Sequence, residues 1–348
     1  MLLEGLYLPL TTPFYPDGSL NLRKLEHNAD RYSRTPSTGF AVLSEVGEPT
    51  MLSEEESRQT LRSAIGATAP EKVMLAGVSR DSVVGTLELI EFAVTAGYDV
   101  ALVREPSFLR SGKRMKELLT YFRAVADRSA VPIVLYSPDG SLPIEAAIEL
   151  AGHPQIIGLV DGGHSSGRIE TIKSGTAAVK REVTVTPVFA AATGRMLAQK
   201  EAAGAGTFIA ANTLTDGGAA LAIAPPKPPI KTRTKTVGFQ ILTSNTAEML
   251  DGLQAGAVGA MPGFAACAPQ ACYEVLAAWK DGDNGLALEK QARLQAAVAR
   301  VEGALGVPGI RFGCDLNGYF GGRPRLPLLP PSGEERAEIE ALMHGIRH

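Results

Sequence analysis

Three side chains of this sequence are suited to moving protons, and each stands at the end of an apolar run. Tyr136 closes Pro132-Ile133-Val134-Leu135-Tyr136, Asp161 follows Ile156-Ile157-Gly158-Leu159-Val160, and Glu45 follows Gly39-Phe40-Ala41-Val42-Leu43-Ser44. A phenol and two carboxylates suffice for acid–base work on a hydroxy or carbonyl compound, one group accepting a proton while another donates. Arg80 and Arg104 end two further apolar runs. They could orient a substrate, or equally pair with Glu45, Asp81 or Glu105. The plainer reading of Tyr136 is a buried tyrosine whose hydroxyl bonds a backbone carbonyl. Asp161, His164 and Glu45 together would offer oxygen and nitrogen ligands to a metal. No H-x-H or H-x-x-E spacing accompanies them, so no metal and no cofactor are expected, and His164 reads more simply as a solvated turn residue.

Composition narrows the class. The chain has 348 residues, 45% of them hydrophobic, enough for one large domain or a domain with an appendage. The 34 Lys and Arg against 37 Asp and Glu leave a net charge of −3, which argues against a nucleic-acid partner. Cys267, Cys272 and Cys314 are odd in number and lack metal-like spacing, as expected of reduced structural thiols. The start, Met1-Leu2-Leu3-Glu4-Gly5, lacks a signal-peptide pattern, and no apolar run reaches the ~18 residues of a membrane span. A soluble cytoplasmic protein acting on a small molecule, with no membrane partner, is the expectation.

The elements that would position these residues follow a regular order. Residues 6–14 read as a strand, and Asn21 caps a helix to about residue 33. After the strand 39–44, Ser53 and Glu56 form a capping box that starts a helix near residue 54. Strand 72–78 precedes helix 82–96, and strand 100–104 precedes helix 113–129. Strands 132–136 and 156–160 flank the helix-like segment 142–152. Such alternation implies βαβ units, whose parallel strands carry chemistry at their carboxyl ends. Six strands by residue 160, with none followed by a glycine-rich nucleotide motif, predict a (β/α)₈ TIM barrel rather than a doubly wound sheet.

Specific motifs sharpen this. Gly5 to Ser19 contains Leu10-Thr11-Thr12-Pro13-Phe14 and Asp17-Gly18, Gly256 to Gly263 reads Gly-Ala-Val-Gly-Ala-Met-Pro-Gly, and Arg323-Pro324-Arg325-Leu326-Pro327-Leu328 lies near the end. Together with Tyr136 and the run through Asp161, in this order, the chain resembles the dihydrodipicolinate synthase / N-acetylneuraminate lyase family of class I aldolases. The resemblance implies a TIM barrel whose fifth strand ends in a proton-relaying tyrosine, here Tyr136. It also implies a Schiff-base lysine on the sixth strand, and Val160 occupies that place. The family's carboxylate-binding Gly-Thr-Thr-Gly-Glu reads Ser44-Glu45-Val46-Gly47-Glu48, so Glu45 would repel a substrate carboxylate or act as the acid–base group itself. The interface tyrosine matches Phe108, which could also be a packing residue. The substrate-holding arginine after the tyrosine strand is absent from Ser137-Pro138-Asp139-Gly140-Ser141-Leu142. Lys173, Lys180, Lys231 and Lys235 are the nearest other amines, none at a strand's carboxyl end.

The expected organisation is a barrel over residues 1–263 and a C-terminal helical region over 264–348. An insertion at about residues 177–235 would separate helix six from strand seven. Within it lie a β-branched run at 182–188, a helix-like stretch at 190–203, an apolar run at 207–211 and a Pro-rich linker at 225–229. Strand seven is expected at 237–243 with its helix at 246–255, and C-terminal helices at 269–281, 285–305 and 333–346. The leading functional expectation is an aldolase-like lyase acting on a small oxygenated metabolite without a Schiff base. Glu45, Tyr136 and Asp161 would be catalytic, with Ser44, Val46, Arg80, Arg104, Phe108 and Val160 lining the substrate site. The alternatives are a non-catalytic relative that binds a metabolite or a protein partner, and, more weakly, true dihydrodipicolinate synthase activity. The resemblance also implies a homo-oligomer, a dimer or tetramer.

Overall fold

The computed structural model describes residues 1–110, 114–164, 166–198 and 231–346. Eight parallel strands close a barrel: β1 (Gly5–Pro9), β2 (Gly39–Val42), β3 (Val73–Gly77), β4 (Val100–Val103), β5 (Ile133–Ser137), β6 (Ile156–Asp161), β9 (Gln240–Thr243) and β10 (Gly259–Ala260). Outside the barrel, the described strands β7 (Arg181–Val185) and β8 (Arg233–Val237) form a separate antiparallel pair. Barrel strands read as apolar runs because helices cover their outer faces while side chains fill the lumen. Tyr7, Leu75, Leu102, Val134, Val160 and Leu242 belong to one buried cluster, whereas Leu6, Leu8 and Leu10 join the larger cluster shared with the helices.

Helices α1 (Leu22–Ser33), α2 (Glu54–Gly66), α3 (Val83–Ala96), α4 (Met115–Ala126), α5 (Ile144–Leu150), α6 (Ser166–Gly175) and α7 (Met249–Gln254) link the barrel strands. Asn21 caps α1 through the Lys24 amide, and Ser53 and Glu56 form the expected capping box on α2. Helix α4 is shorter than residues 113–129, and part of that range lies outside the described residues.

The insertion corrects one boundary. Val237 does not belong to barrel strand seven. It ends β8, which pairs residue for residue with β7, and the barrel resumes only at Gln240. A strand-forming composition across residues 233–243 conceals the change of sheet. The ribbon lies at the amino ends of the barrel strands. Arg181 Nη2 donates to the carbonyls of Ala151, His153 and Ile156, and Lys235 pairs with Glu4 at 2.5 Å. Thr193 Oγ1 donates to the Pro70 carbonyl, and the Gly194 amide to Asp99 Oδ1. Val183, Val185 and Val237 pack with Leu2, Leu3 and Tyr7, so the ribbon stoppers the lumen at the end opposite the carboxyl-terminal mouth. Of the helix-like stretch at 190–203, residues 194–198 are helical. Residues 190–193 are described but not helical, and residues 199–203, the apolar run at 207–211 and the Pro-rich linker at 225–229 lie outside the described residues.

Four helices follow the barrel instead of three: α8 (Pro269–Lys280), α9 (Asn284–Val298), α10 (Gly306–Leu316) and α11 (Gly333–Met343). The helix expected over 285–305 ends early and passes into a π-helical segment, Ala299–Ala304. Gly306, at φ +61°, then turns the chain into α10, which Pro308, Gly309 and Gly313 hid from sequence reading. All three cysteines are free and buried.

The π-helical segment carries Glu302, whose Oε2 is buried without a hydrogen-bond partner. Burial pushes its carboxyl up to about 7, against the opposing effect of the Thr246 hydroxyl and the Phe264 and Gly263 amides. The folded protein therefore binds this proton more tightly than the unfolded chain. Stability should fall as pH rises from the ordinary carboxyl range to about 7, and this contribution should level off above it. Chemical denaturation between pH 4.5 and 8 tests this: Glu302→Gln should remove that downward slope, and an unchanged slope would contradict it.

Candidate active site

Strand β5 points Val134 and Tyr136 into the lumen, and its register sets Tyr136 beside Val160 of β6, which in turn neighbours Leu242 of β9. Val160 is completely buried, an apolar wall beside the phenol. The Tyr136 hydroxyl accepts a hydrogen bond from the Glu45 amide at 3.1 Å. Its own hydrogen meets no acceptor among the described residues. Burial raises this phenol well above its usual range, so it is a neutral donor at physiological pH.

Glu45 opens the single 3₁₀ turn Glu45–Gly47 after β2. Its carboxylate accepts from Arg104 Nη1 at 2.7 Å, and the other terminal nitrogen of Arg104 bonds Asp139. Arg104 is 9% exposed, and its Nε has no partner. Asp139 lies two residues beyond β5, in a turn where Gly140 takes φ +68°. A Cβ on Gly140 would stand 2.6 Å from Gly163 Cα, so a glycine is needed where the loops after β5 and β6 touch. That turn directs Asp139 back onto Arg104. Burial opposes ionisation of Asp139, but hydrogen bonds from Ser141 and the charge of Arg104 outweigh it and hold the carboxyl below its ordinary range. Ser141 Oγ touches both Asp139 Oδ1, at 2.6 Å, and Glu105 Oε1. The network thus runs Glu45, Arg104, Asp139, Ser141, Glu105 across the mouth. Ser44 is buried, and its Oγ is unpartnered.

The expected site residues divide into those the fold brings together and those it does not. Tyr136, Glu45, Arg104, Val160 and Ser44 meet at the mouth. Asp161 does not join them as a free acid. Both its carboxylate oxygens accept from Arg168 Nε, at 2.9 and 3.0 Å, and its side chain is fully buried. Burial still raises its carboxyl despite that cation. Arg80 is likewise engaged elsewhere, bonding Glu54 at 2.6 Å and the Ser57 hydroxyl. Val46 packs in the helix-side cluster with Leu10 and Leu43, not in the lumen. Phe108 is on the surface turn Ser107–Leu109, 60% exposed and outside the core. Lys235 is tied to Glu4 at the far end of the barrel, and Lys180 and Lys231 are exposed.

Sequence reading missed Asp139, Ser141 and Arg168, and it offered Glu105 as an arginine partner where the structure has it bonding Ser141. An aspartate two residues past the tyrosine strand was the available signal for Asp139. Nothing local announces Arg168 as the partner of Asp161.

A search of family models matches the dihydrodipicolinate synthetase family over residues 2–186 and 229–346. The chain belongs to that family. The dihydrodipicolinate synthetase match is interrupted at residues 187–228, within the inserted region. Among curated relatives, the L-threo-3-deoxy-hexylosonate aldolase of Hypocrea jecorina is 26% identical over 356 residues, covering 99% of this chain and 95% of that protein. The 4-hydroxy-tetrahydrodipicolinate synthase of Methanothrix thermoacetophila is 26% identical over 340 residues, covering 98% and 96%. Among solved structures, YagE, a prophage protein of the dihydrodipicolinic acid synthase family from E. coli K12 in complex with pyruvate, superposes with a TM-score of 0.75 at 21% identity, covering 99% of each chain. That likeness establishes the barrel fold common to the dihydrodipicolinate synthetase family.

If Asp161 is a structural anchor, Arg168→Met should cost about 3–5 kcal/mol in urea unfolding, because it strands a buried carboxylate. Arg80→Met, which breaks a more exposed pair, should cost under ~1 kcal/mol. Equal costs for the two would contradict this placement.

Proposed function

We propose that this chain is an aldolase-like lyase that cleaves or forms a carbon–carbon bond in a small hydroxy-carbonyl compound, without an enzyme-bound imine. The observation that carries the reading is the Tyr136 hydroxyl. It is buried, held by the Glu45 amide, and has its hydrogen free beside the Glu45–Arg104–Asp139 chain. The lysine place implied by the family resemblance holds Val160, which offers no amine to form an imine. Relatives along the whole chain carry aldolase and synthase names, consistent with carbon–carbon chemistry.

In the cleavage direction Glu45 takes the proton of the substrate's β-hydroxyl. The freed O–H pair forms the new C=O as the C–C bond breaks. The C–C pair moves into an enolate whose oxygen is held by the Tyr136 O–H and the Arg104 Nε–H. The proton then returns to the enolate carbon. Donors preset for a developing oxyanion in a buried site are the strongest single lever available to such a reaction. Asp139 keeps Arg104 in place, while Asp161 and Arg80 take no part. The exposed Phe108 is the face across which we expect a second copy of the chain to dock, since an aromatic ring left in solvent is stabilised by burial.

The test is a screen of small hydroxy-carbonyl compounds for cleavage, followed by variant kinetics. Tyr136→Phe should lower kcat by about 10²–10⁴ with little change in KM. Arg80→Ala should stay within about twofold, as expected for a residue outside the site. Absence of cleavage across the screen, or full activity in Tyr136→Phe, would overturn the proposal.

A further inference from the structure

Among the described residues, those around Tyr136 present hydrogen-bond donors, and the guanidinium there, Arg104, is already paired. Among the described residues, Arg104 faces two carboxylates, Glu45 at 2.7 Å and Asp139, with Glu105 one hydroxyl further along. Arg168 is spent on Asp161 and Arg80 on Glu54. Along this network the three carboxylates Glu45, Asp139 and Glu105 outnumber the one guanidinium of Arg104. Donors without acceptors on this side of the barrel include Arg104 Nε–H, the Tyr136 O–H and the hydroxyls of Ser44 and Ser244. Arg104 and Ser44 are both more than nine-tenths buried, so these orphan donors cannot be satisfied by bulk water. With the Arg104 charge already offset by Glu45 and Asp139, these donors suit carbonyl and hydroxyl oxygens. A carboxylate entering here would meet Glu45 and Asp139 and would have to displace one of them.

We infer that the substrate carries no carboxylate at the end held by Arg104 and is a neutral, polyhydroxylated carbonyl compound of the aldose or ketose class. This inference rests on the catalytic reading above and narrows its substrate. Glu45 is the discriminating residue. Its side chain is 59% exposed and bonds Arg104 through one oxygen, so it is the more readily removed of the two counter-ions. Asp139 is held more firmly, by Ser141 as well as by Arg104.

Ligand-observed NMR titration of the full chain with dihydroxyacetone and with pyruvate tests the inference. The unmodified protein should bind dihydroxyacetone at least about tenfold more tightly than pyruvate. Glu45→Gln, which keeps the shape and removes the charge, should tighten pyruvate binding by about tenfold and leave dihydroxyacetone within about threefold. Asp139→Asn should move the preference in the same direction, an independent check should the first variant be poorly folded. Equal or tighter binding of pyruvate by the unmodified protein, no shift in either variant, or no binding of dihydroxyacetone would each overturn the inference. Failure of the catalytic reading gives a different pattern: the selectivity appears but no hydroxy-carbonyl compound is cleaved. Conversely, Tyr136-dependent cleavage of a carboxylate-bearing compound would leave that reading standing and refute this one.

Discussion

The buried ion pair between Arg311 and Glu48 holds together the end of the barrel that bears the candidate site. Arg311, on α10, is fully buried and donates to Glu48 Oε1 at 2.7 Å, to the Thr12 carbonyl at 2.6 Å and to the Gly321 carbonyl. Three separate stretches, the loop after β1, the turn after β2 and the C-terminal tail, thereby converge on one guanidinium. Losing one partner of such a pair costs about 3–5 kcal/mol, because the other charge is left in a dry interior. Glu48 sits at φ +52°, an unfavourable conformation that this anchoring compensates. The other carboxylate oxygen of Glu48 accepts the Arg325 amide at 3.3 Å, and Arg325 also bonds Glu56 on α2. The C-terminal helices are thus part of what fixes the turn bearing Ser44 and Glu45.

From that fixed turn the electrostatics of the mouth follow. With the Glu45 amide committed to Tyr136 and its carboxylate to Arg104, one residue supplies both a donor to the phenol and a counter-ion to the guanidinium. The phenol stays neutral because burial penalises its anion. Two carboxylates, those of Glu45 and Asp139, hydrogen-bond the buried Arg104 guanidinium. The proposed chemistry uses these two states together: a neutral O–H and a compensated cation that stabilise an enolate oxygen without attracting a free carboxylate. At the opposite end, the β7–β8 ribbon packs against the lumen residues Leu2, Leu3 and Tyr7.

Much of this was legible in the residues. Apolar runs of strand length separated by capped helices specify a parallel barrel, and the Ser53–Glu56 box marks its helix start to the residue. Tyr136 and Glu45 were recognisable because each ends a run that must be a buried strand. The Arg104–Glu45 pair was among the pairings the residues offered, but the other ion-pair partners were not legible, because they are chosen by tertiary approach. Asp161 looked like a free acid until Arg168 reached it from the next helix, and Arg80 found Glu54 on a different helix. Strand seven was misplaced for a related reason: Val237 is an apolar strand residue in either sheet, and only its pairing with Arg181 assigns it to the ribbon. Helix α10 was obscured by glycine and proline that isolated propensity disfavours but tertiary packing tolerates.

The central claim is that carbon–carbon chemistry at this mouth proceeds without a Schiff base. Incubation with pyruvate and borohydride, followed by intact-mass and peptide mass spectrometry, tests it most directly. The account predicts an unmodified mass, with no lysine carrying a reduced pyruvyl group. A stoichiometric pyruvyl adduct on any lysine would contradict it.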